Sequence, residues 1–328
     1  MNNITVCIPT YNRSDLLGTA INSVLRQDFK KFDILIIDNN SSDNTEIVVK
    51  EFKDNRIRFI KNKRNLGFHG NLQKCLDTAS SKYIIFLADD DFFLQGALKK
   101  LYMALEENPS IIVGKPANFR FFGLNFKRYI IDQKSANPII LTRGDEAISQ
   151  SLFFGLGGFS GLIIRKEDIK ITITSKGDLA SLIEPLFEFL SRGDFLYIPD
   201  ILVGYRSHQN LAYKIYISSS YTSELIPLYK KYLKNHDLYL STIENIIKFA
   251  IDDLYNVRLY AGLKGVFSEV KFIVNNKPSV KTDLKFIMIL MFCCLLPKKF
   301  IRLIKQITIH YISQSNVIDM KKFITIEQ

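Results

Sequence analysis

The sequence predicts an α/β fold with a mostly parallel sheet, and three observations support that fold class. Short apolar strand patterns occur at residues 4–9, 32–37 and 83–87. Between them lie segments in which apolar residues recur at helical spacing. Each strand pattern also ends in polar residues, as expected where parallel strands meet one functional edge of a sheet. Strands that alternate with helices predict right-handed crossovers within a single sheet.

Length and composition indicate a globular protein with a sizeable core. The chain has 328 residues, 47% of them hydrophobic and 23% charged, which suits one large α/β domain with an appendage, or two small domains. The formal net charge of +11 indicates an anionic partner, namely nucleic acid, an anionic membrane or a phosphorylated substrate. The four cysteines have no metal-ligand spacing, and the first residues contain no secretory signal. We therefore expect free thiols in a reducing cytoplasm.

The first hundred residues predict strands and helices in strict alternation. The strand at residues 4–9 precedes a helix that begins at Ser14, with apolar residues at helical spacing from Leu16 to Phe29. The strand at 32–37 precedes a helix that begins near Glu46. A third strand at residues 57–60 leads into a basic loop and a helix at about 71–79. The acidic strand that starts at Tyr83 follows. This order predicts a sheet whose loops gather at one edge.

The strand that starts at Tyr83 ends in three consecutive carboxylates, Asp89, Asp90 and Asp91. Adjacent carboxylates repel one another at neutral pH, and a divalent cation with phosphate oxygens offsets that repulsion. The pattern therefore indicates a metal and phosphate site. A solvated acidic turn after a strand is the alternative that this segment leaves open.

Other strand ends carry residues suited to a nucleotide. Pro9, Thr10 and Tyr11 offer a hydroxyl and a ring for stacking, Asp38 can accept hydrogen bonds from a base or ribose, and Arg64 can meet a phosphate. Loop solvation or helix capping is the alternative for each residue taken alone. The chain has no G-x-G-x-x-G after the first strand and no G-x-x-x-x-G-K-[ST], which excludes a Rossmann dinucleotide site and a P-loop.

Four motifs in this order resemble those of family 2 glycosyltransferases with the GT-A fold. They are Ile8-Pro9-Thr10-Tyr11-Asn12-Arg13, Asp38-Asn39-Asn40-Ser41-Ser42-Asp43-Asn44-Thr45, Asn65-Leu66-Gly67 and Asp89-Asp90-Asp91. The resemblance is close over about 100 residues and looser to about residue 210. It implies a nucleotide-diphospho-sugar donor, for which we expect a UDP-sugar, a divalent metal (Mn or Mg) and inversion at the anomeric carbon. It also implies that Thr10, Tyr11 and Asp38 face the nucleoside and that Arg64 lies near the nucleotide.

The acidic motif departs from the commoner Leu-Asp-x-Asp-Asp form of the family, because Ala88 replaces the first Asp. In that register Asp90 is the metal ligand and Asp89 shifts toward the ribose, which is the assignment we favour. If the triplet is aligned as D-x-D instead, Asp89 and Asp91 form the pair. We therefore expect the metal ligands among Asp90 and Asp91.

The middle of the chain contains the candidates for the acceptor side. A glycine-rich stretch at residues 156–167 contains Gly157-Gly158-Phe159-Ser160, which is similar to a Gly-Gly-x-Phe-Ser stretch of some O-antigen transferases, and it indicates either an acceptor contact or a strand bulge. The family places a general base near the start of the helix that ends at about Leu190. Its usual Glu-Asp pair is absent, so Asp178 and Glu184 are both candidates. Asp178 also suits an N-cap, and Glu184 also suits an exposed helix position.

The stretch from Tyr205 to His208 matches the family's Tyr-Arg-x-His ending. By that likeness Arg206 neutralises phosphate charge, and His208 ligates the metal or touches the diphosphate leaving group. A structural histidine is the alternative. We expect a GT-A catalytic domain over residues 1–210 and a helical C-terminal region over residues 211–328.

The C-terminal region carries an apolar run at residues 286–296, which is too short to span a membrane, and a basic amphipathic pattern at 298–307. This combination predicts a segment, at about residues 284–312, that lies in the membrane interface. A helix packed on the catalytic domain or on a partner subunit is the alternative, which leaves a homo-oligomer open.

Taken together, the motifs predict a metal-dependent inverting glycosyltransferase of bacterial surface polysaccharide synthesis, for O-antigen or capsule. We expect it in the cytoplasm, peripherally bound to the inner face of the membrane, with a glycan or polyprenyl-diphosphate-linked acceptor. We expect no nucleic-acid partner, because the basic residues are not interleaved with aromatics. A degenerate GT-A domain that binds membrane or glycan without transfer is the alternative, and Ala88 keeps it open.

Overall fold

The structure is a computed structural model that describes residues 2–122, 128–150, 153–154, 158–166, 172, 178–207, 221–260, 262–297 and 299–301. These residues group into two compact units. The first holds the sheet with its helices, and the second holds the helices from Tyr221 onward. The helix Asp178–Leu190 contributes its first three residues to the second unit and the rest to the first.

The first unit is a mixed ten-stranded sheet with helices. The strands are β1 (Ile4–Thr10), β2 (Phe32–Asp38), β3 (Ile57–Lys61), β4 (Tyr83–Phe86), β5 (Phe92–Phe93), β6 (Ile111–Phe122), β7 (Arg128–Asp132), β8 (Ile139–Leu141), β9 (Ile163–Arg165) and β10 (Asp194–Ser207). The helices are α1 (Ser14–Leu25), α2 (Thr45–Glu51), α3 (Gly67–Thr78), α4 (Ala97–Glu106), α5 (Asp145–Gln150) and α6 (Asp178–Leu190).

The sheet has the order β3-β2-β1-β4-β9-β6-β10-β5, with β7 beside β6 and β8 beside β10. Strands β3, β2, β1 and β4 are parallel, and so are β6 and β10. Strand β9 runs antiparallel to both β4 and β6 and joins the two parallel parts. The predicted α/β class with a mostly parallel, mixed sheet is confirmed.

The core lies where the apolar alternation of the strands meets the apolar face of α1. Leu17, Ala20, Ile21 and Val24 recur at spacings of three and four and are all inaccessible to solvent. They belong to the same buried cluster as apolar side chains of β1, β2 and β4. Burial of this kind supplies most of the free energy that holds such a layer together. The rigid sheet then fixes the ends of its strands.

The structure differs from the predicted elements at several boundaries. Helix α4 was not anticipated, and α3 begins at Gly67, four residues before the predicted start. The two predicted strands at 110–114 and 117–122 form one strand, β6, and β10 continues through Arg206. For β6 and β10, pairing with neighbouring strands extends the element, which local sequence pattern does not report.

The second unit is helical. Its helices are α7 (Tyr221–Tyr232), α8 (His236–Tyr260), α9 (Gly262–Asn276), a 3₁₀ helix (Pro278–Thr282) and α10 (Leu284–Leu295). Asp283 caps α10 by accepting a hydrogen bond from the Phe286 N–H at 3.1 Å. Across the described ranges of the chain, no helix is both long enough and apolar enough to cross a bilayer.

Candidate nucleotide and metal site

The predicted strand ends meet at one edge of the sheet. Strand β1 lies between β2 and β4 and runs parallel to both, with Thr10 paired in register with Asp38. The acidic triplet begins three residues after the end of β4. The carboxyl edge of three adjacent parallel strands therefore carries Thr10, Asp38 and the aspartates, at the position where open α/β sheets bind ligands.

The loops after β1 and β2 are joined by reciprocal hydrogen bonds. The Asn12 N–H donates to Ser41 Oγ at 2.8 Å, and the Ser42 N–H donates to Asn12 Oδ1 at 2.9 Å. Asn12 has a left-handed φ of 52°, a conformation that asparagine tolerates better than most residues. These bonds hold Tyr11, a residue that is 46% exposed, at the rim of the edge.

Asp38 is fully buried and has one carboxylate oxygen without a hydrogen bond. Its Oδ1 accepts hydrogen bonds from the N–H and the hydroxyl of Ser41, at 3.0 and 2.5 Å. Its Oδ2 accepts none within the described structure, and the Lys61 ammonium is 3.9 Å away. Buried acceptors are nearly always satisfied in native proteins. The free oxygen therefore suits a ligand that supplies a donor, such as a base imide or a ribose hydroxyl.

A network of asparagines fixes the loop that carries Arg64. The Asn39 amide donates to Asn65 Oδ1 at 2.9 Å, and Asn39 Oδ1 accepts from the Leu66 N–H at 2.8 Å. The Asn62 amide donates to Asn71 Oδ1 at 2.9 Å, which ties the loop to α3. Arg64 itself is exposed. The network thus holds the loop backbone in place beneath an exposed cation.

Asp91 is anchored by the protein through both carboxylate oxygens. Its Oδ2 accepts a hydrogen bond from the Ser160 hydroxyl at 2.6 Å, and its Oδ1 accepts one from the Arg206 N–H at 2.8 Å. Burial, followed by the charge of Asp90, raises the pKa of Asp91 well above its usual range, although both hydrogen bonds oppose the change. Asp91 joins the acidic turn to β10 and to the glycine-rich loop.

Asp89 and Asp90 are partly exposed at the same edge. Burial and then the charge of Asp90 raise the pKa of Asp89 to about 7, against the opposing effects of the Thr10 hydroxyl and the Arg13 charge. The Arg13 guanidinium lies 3.9 Å from Asp90 Oδ2, and the Arg206 Nε–H donates to the Asp90 carbonyl at 3.1 Å. Two neighbouring carboxyls thus share a site that favours one negative charge over two.

Lys115 lies beneath the glycine-rich loop and is almost inaccessible to solvent. Its ammonium donates to the carbonyls of Gly158 and Ser160, at 2.6 and 2.7 Å, and to the Tyr205 hydroxyl. Burial lowers the pKa of Lys115 to about 7, while the charge of Asp91 opposes that change. Lys115 therefore holds the loop from which Ser160 reaches Asp91.

The residues present at this edge fit a metal whose ligands come partly from the protein and partly from a diphosphate. Within the described residues, no three His, Cys, Asp or Glu side chains form a cage that could hold a metal ion. Asp90 supplies a partly exposed carboxylate next to Asp89, and oxygen donors of this type suit Mg and Mn. A nucleotide diphosphate would complete such a set, because Mg is usually bound by one or two carboxylates together with substrate phosphates.

The candidates for the acceptor side either lie on helix α6 or fall outside the described residues. Asp178 is the first residue of α6, and Glu184, further along α6, is only 4% exposed. The exposed position that was the alternative for Glu184 is thus wrong. His208, together with residues 156, 157 and 167 of the glycine-rich stretch, lies outside the described residues.

Three residues with direct roles in this geometry were not predicted: Arg13, Lys115 and Ser160. Arg13 and Ser160 lie in motifs that the sequence analysis quotes. Arg13 follows the first strand, so its proximity to the aspartates could have been inferred from position, whereas Ser160 is 69 residues from Asp91 along the chain. Lys115 follows an apolar strand pattern and carries no local signal of burial. Its contacts depend on pairing between β6 and β10, which only the folded chain shows.

The fold and this edge define a class of protein, the nucleotide-diphospho-sugar transferases of GT-A architecture. Residues 5–167, about half of the chain, match the family model described as glycosyl transferase family 2. The chain belongs to that family, as the ordered motifs indicate.

Two curated relatives each match about a third of the chain. A GalNAc(5)-diNAcBac-PP-undecaprenol beta-1,3-glucosyltransferase of Campylobacter jejuni is 40% identical over 117 residues, which are 35% of this chain and 38% of that protein. A UDP-Glc:alpha-D-GlcNAc-diphosphoundecaprenol beta-1,3-glucosyltransferase of Escherichia coli is 34% identical, over 34% of this chain and 44% of that protein. The chain thus spans about two fifths of the length of these two relatives.

Solved structures extend the likeness of the fold beyond the matched residues. The structure of Staphylococcus aureus TarS 1-349 has a TM-score of 0.54 at 13% identity and covers 85% of this chain and 90% of that one. A Pyrobaculum calidifontis mannosyltransferase in complex with GDP-Man and Mn2+ has a TM-score of 0.53 at 13% identity, over 88% of this chain and 86% of that one. At this identity the likeness shows the fold alone.

Proposed function

We propose that this protein is a metal-dependent inverting glycosyltransferase of bacterial surface polysaccharide synthesis. It moves a sugar from a UDP-sugar to a hydroxyl of a polyprenyl-diphosphate-linked glycan. The names of the relatives support the donor and acceptor classes. The observation that carries the proposal is the buried Asp38 carboxylate with one unsatisfied oxygen, at the same sheet edge as Asp89 and Asp90.

The nucleoside would occupy the edge formed by β1 and β2. Asp38 Oδ2 accepts a hydrogen bond from the base or ribose, and the exposed Tyr11 ring offers a stacking surface beside Thr10. Pro9 holds the end of β1 in extended geometry next to Ile37 of β2. Arg64, exposed above the asparagine network, attracts the negative charge of the nucleotide.

The diphosphate would lie over the acidic turn. We assign Asp90 as the metal ligand and Asp89 to the ribose side, because the protein itself engages both oxygens of Asp91. When bound, a divalent metal stabilises the negative charge that develops on the leaving diphosphate. Arg206 and Arg13 flank Asp90 and add positive charge on the protein side. His208, which follows β10, keeps its assignment as a further ligand or leaving-group contact.

Inversion requires a base that takes the proton of the acceptor hydroxyl. We assign this role to Asp178 at the start of α6, with Glu184 as the competing candidate. The low exposure of Glu184 favours Asp178, because a base must reach a substrate hydroxyl. The division into a catalytic domain at residues 1–210 and a helical region at 211–328 belongs to the same proposal. So does peripheral attachment to the cytoplasmic leaflet, where a lipid-linked acceptor is met.

Thermal-shift measurements with a panel of nucleotide sugars test the donor site. Ligands that bind the native state raise the unfolding temperature by mass action. We expect a UDP-sugar to raise it in the presence of Mn and to do so less in EDTA, and Asp38→Asn to weaken the effect. Leu76→Met, a volume-conserving change in α3, is a control that should leave the ligand effect intact. If no nucleotide sugar raises the unfolding temperature with Mn, the proposed function is wrong.

A further inference from the structure

Helix α10 presents an exposed apolar stripe. Leu284, Met288, Met291 and Leu295 are spaced by four, three and four residues and have exposed fractions of 71%, 62%, 54% and 73%. At 3.6 residues per turn these four side chains lie within an arc of about 60° on one side of the helix. Single exposed apolar residues are normal, whereas a contiguous exposed apolar row on a protein surface indicates an interaction site.

The opposite side of α10 is packed inside the helical unit. Phe286 and Cys293 are seven residues apart, lie on the face opposite the stripe and are 3% and 0% exposed. The Arg258 side chain of α8 donates a hydrogen bond to the Cys293 carbonyl at 2.9 Å and ties the helix to its neighbour. The inner face of the helix is thus packed against its own unit, and the stripe on the other side faces solvent.

Positive charge accompanies the stripe. The sequence from residue 277 to residue 301 contains five lysines and a single acidic residue, Asp283, which serves as the helix cap. Lys281, Lys285 and Lys299 are exposed near the two ends of the stripe. Apolar side chains with lysines at their border match a bilayer whose surface carries anionic headgroups.

We infer that the α10 stripe docks the protein on an anionic bilayer surface. The helix has 12 residues, so at 1.5 Å per residue it is about 18 Å long, well below the roughly 30 Å of a hydrocarbon core. It therefore lies in the plane of the interface, with the stripe among the acyl chains and the lysines at the headgroups. The inference deepens the proposed function. It rests on that function in one respect, which is that a lipid-linked acceptor would be met at the membrane surface.

Flotation of the full chain with vesicles tests this surface. We expect binding to vesicles of about 30% phosphatidylglycerol and 70% phosphatidylethanolamine at about 50 mM salt, several-fold weaker binding at about 500 mM salt, and little binding to phosphatidylcholine vesicles. The double substitution Met288→Glu/Met291→Glu should reduce binding at least tenfold. Met103→Glu is the matched control, because Met103 is a 43% exposed methionine on helix α4, and it should bind as the wild type does.

The lysines have their own control. Lys281→Gln/Lys299→Gln should weaken binding to the anionic vesicles, whereas Lys53→Gln/Lys99→Gln removes the same charge from exposed positions elsewhere and should not. Equal loss in both pairs, or equal binding to neutral and anionic vesicles, overturns the inference. So does a concentration-dependent dimer in light scattering that Met291→Glu abolishes while vesicle binding stays absent.

The outcome is separable from that of the proposed function. Release of the sugar from the donor by water needs no acceptor and no membrane. The Met288→Glu/Met291→Glu variant should therefore keep the wild-type rate of donor hydrolysis while it loses vesicle binding. Vesicle binding without hydrolysis of any donor would contradict the proposed function and leave the docking surface supported. Hydrolysis with no vesicle binding by the wild type would do the reverse.

Discussion

The hydroxyl of Ser160 donates a 2.6 Å hydrogen bond to Asp91 Oδ2. The same oxygen of Ser160 accepts the Ala88 N–H at 2.8 Å, so one side chain holds both ends of the acidic turn. Because Asp91 also accepts the Arg206 N–H, its carboxylate is committed to the protein. Asp89 and Asp90, the two residues that precede it, are the aspartates that we expect to meet a ligand.

Ser160→Ala should destabilise the protein and impair the site together. The change removes a donor from a buried carboxylate, which costs about 1–3 kcal/mol in the free energy of unfolding, and it frees the turn that carries Asp90. Urea denaturation and a metal titration of donor hydrolysis measure the two effects. Ser191→Ala is the matched control, since the Ser191 hydroxyl donates to the Glu188 carbonyl on an exposed part of the first unit. Wild-type stability in Ser160→Ala would contradict this role.

The raised pKa of Asp89 predicts a pH dependence of stability in the metal-free protein. Its pKa is about 7 in the folded state and near 3.8 ordinarily, because of burial and the charge of Asp90. The folded state thus binds the proton more tightly, and the stabilisation is present below about pH 4 and is lost as the pH rises through 7.

Asp89→Asn isolates that contribution. Between about pH 4.5 and pH 7.5 the free energy of unfolding of the wild type should fall by more than about 1 kcal/mol relative to the variant, since a tenfold difference in proton affinity corresponds to about 1.4 kcal/mol. Denaturation curves in EDTA at three pH values provide the comparison. Parallel pH profiles for the two proteins would show that Asp89 titrates normally.

The choice of general base depends on two conservative substitutions. We expect Asp178→Asn to lower turnover by about two orders of magnitude or more, the scale of general-base catalysis, with donor affinity unchanged. Glu184→Gln should act mainly on stability, because Glu184 is only 4% exposed. Single-turnover kinetics and donor titrations on both variants separate the cases. A near wild-type Asp178→Asn beside an inactive, folded Glu184→Gln would move the assignment to Glu184.

The sequence predicted the parallel half of the fold well because its signals are local. Apolar runs such as 32–37 are short, end in turn residues and alternate with amphipathic segments. The long strands β6 and β10 were predicted in pieces, and in β10 the register shifts against β6 at residues 198–203 interrupt the pattern. Pairing across the sheet, rather than local propensity, holds these strands together.

The sequence identified the site residues that follow the strands, but it did not identify the residues that hold them in place. Asp38 and the acidic triplet stand out because polar residues directly follow buried strands. The role of Asp91 as an anchor was not visible, because Ser160 is 69 residues away and Arg206 is 115 residues away along the chain. Lys115 carried no signal, since a buried lysine is distinguished only by the carbonyls that surround it.

The most direct test is transfer itself, measured by mass spectrometry of a polyprenyl-diphosphate-linked glycan after incubation with UDP-sugars and Mn. The wild type should add one sugar residue to the acceptor. EDTA and Asp90→Ala should each abolish product, because the leaving diphosphate then lacks its metal, and Asp28→Ala, at an exposed loop aspartate, should not. Undiminished product from the Asp90→Ala variant or in EDTA would contradict the account.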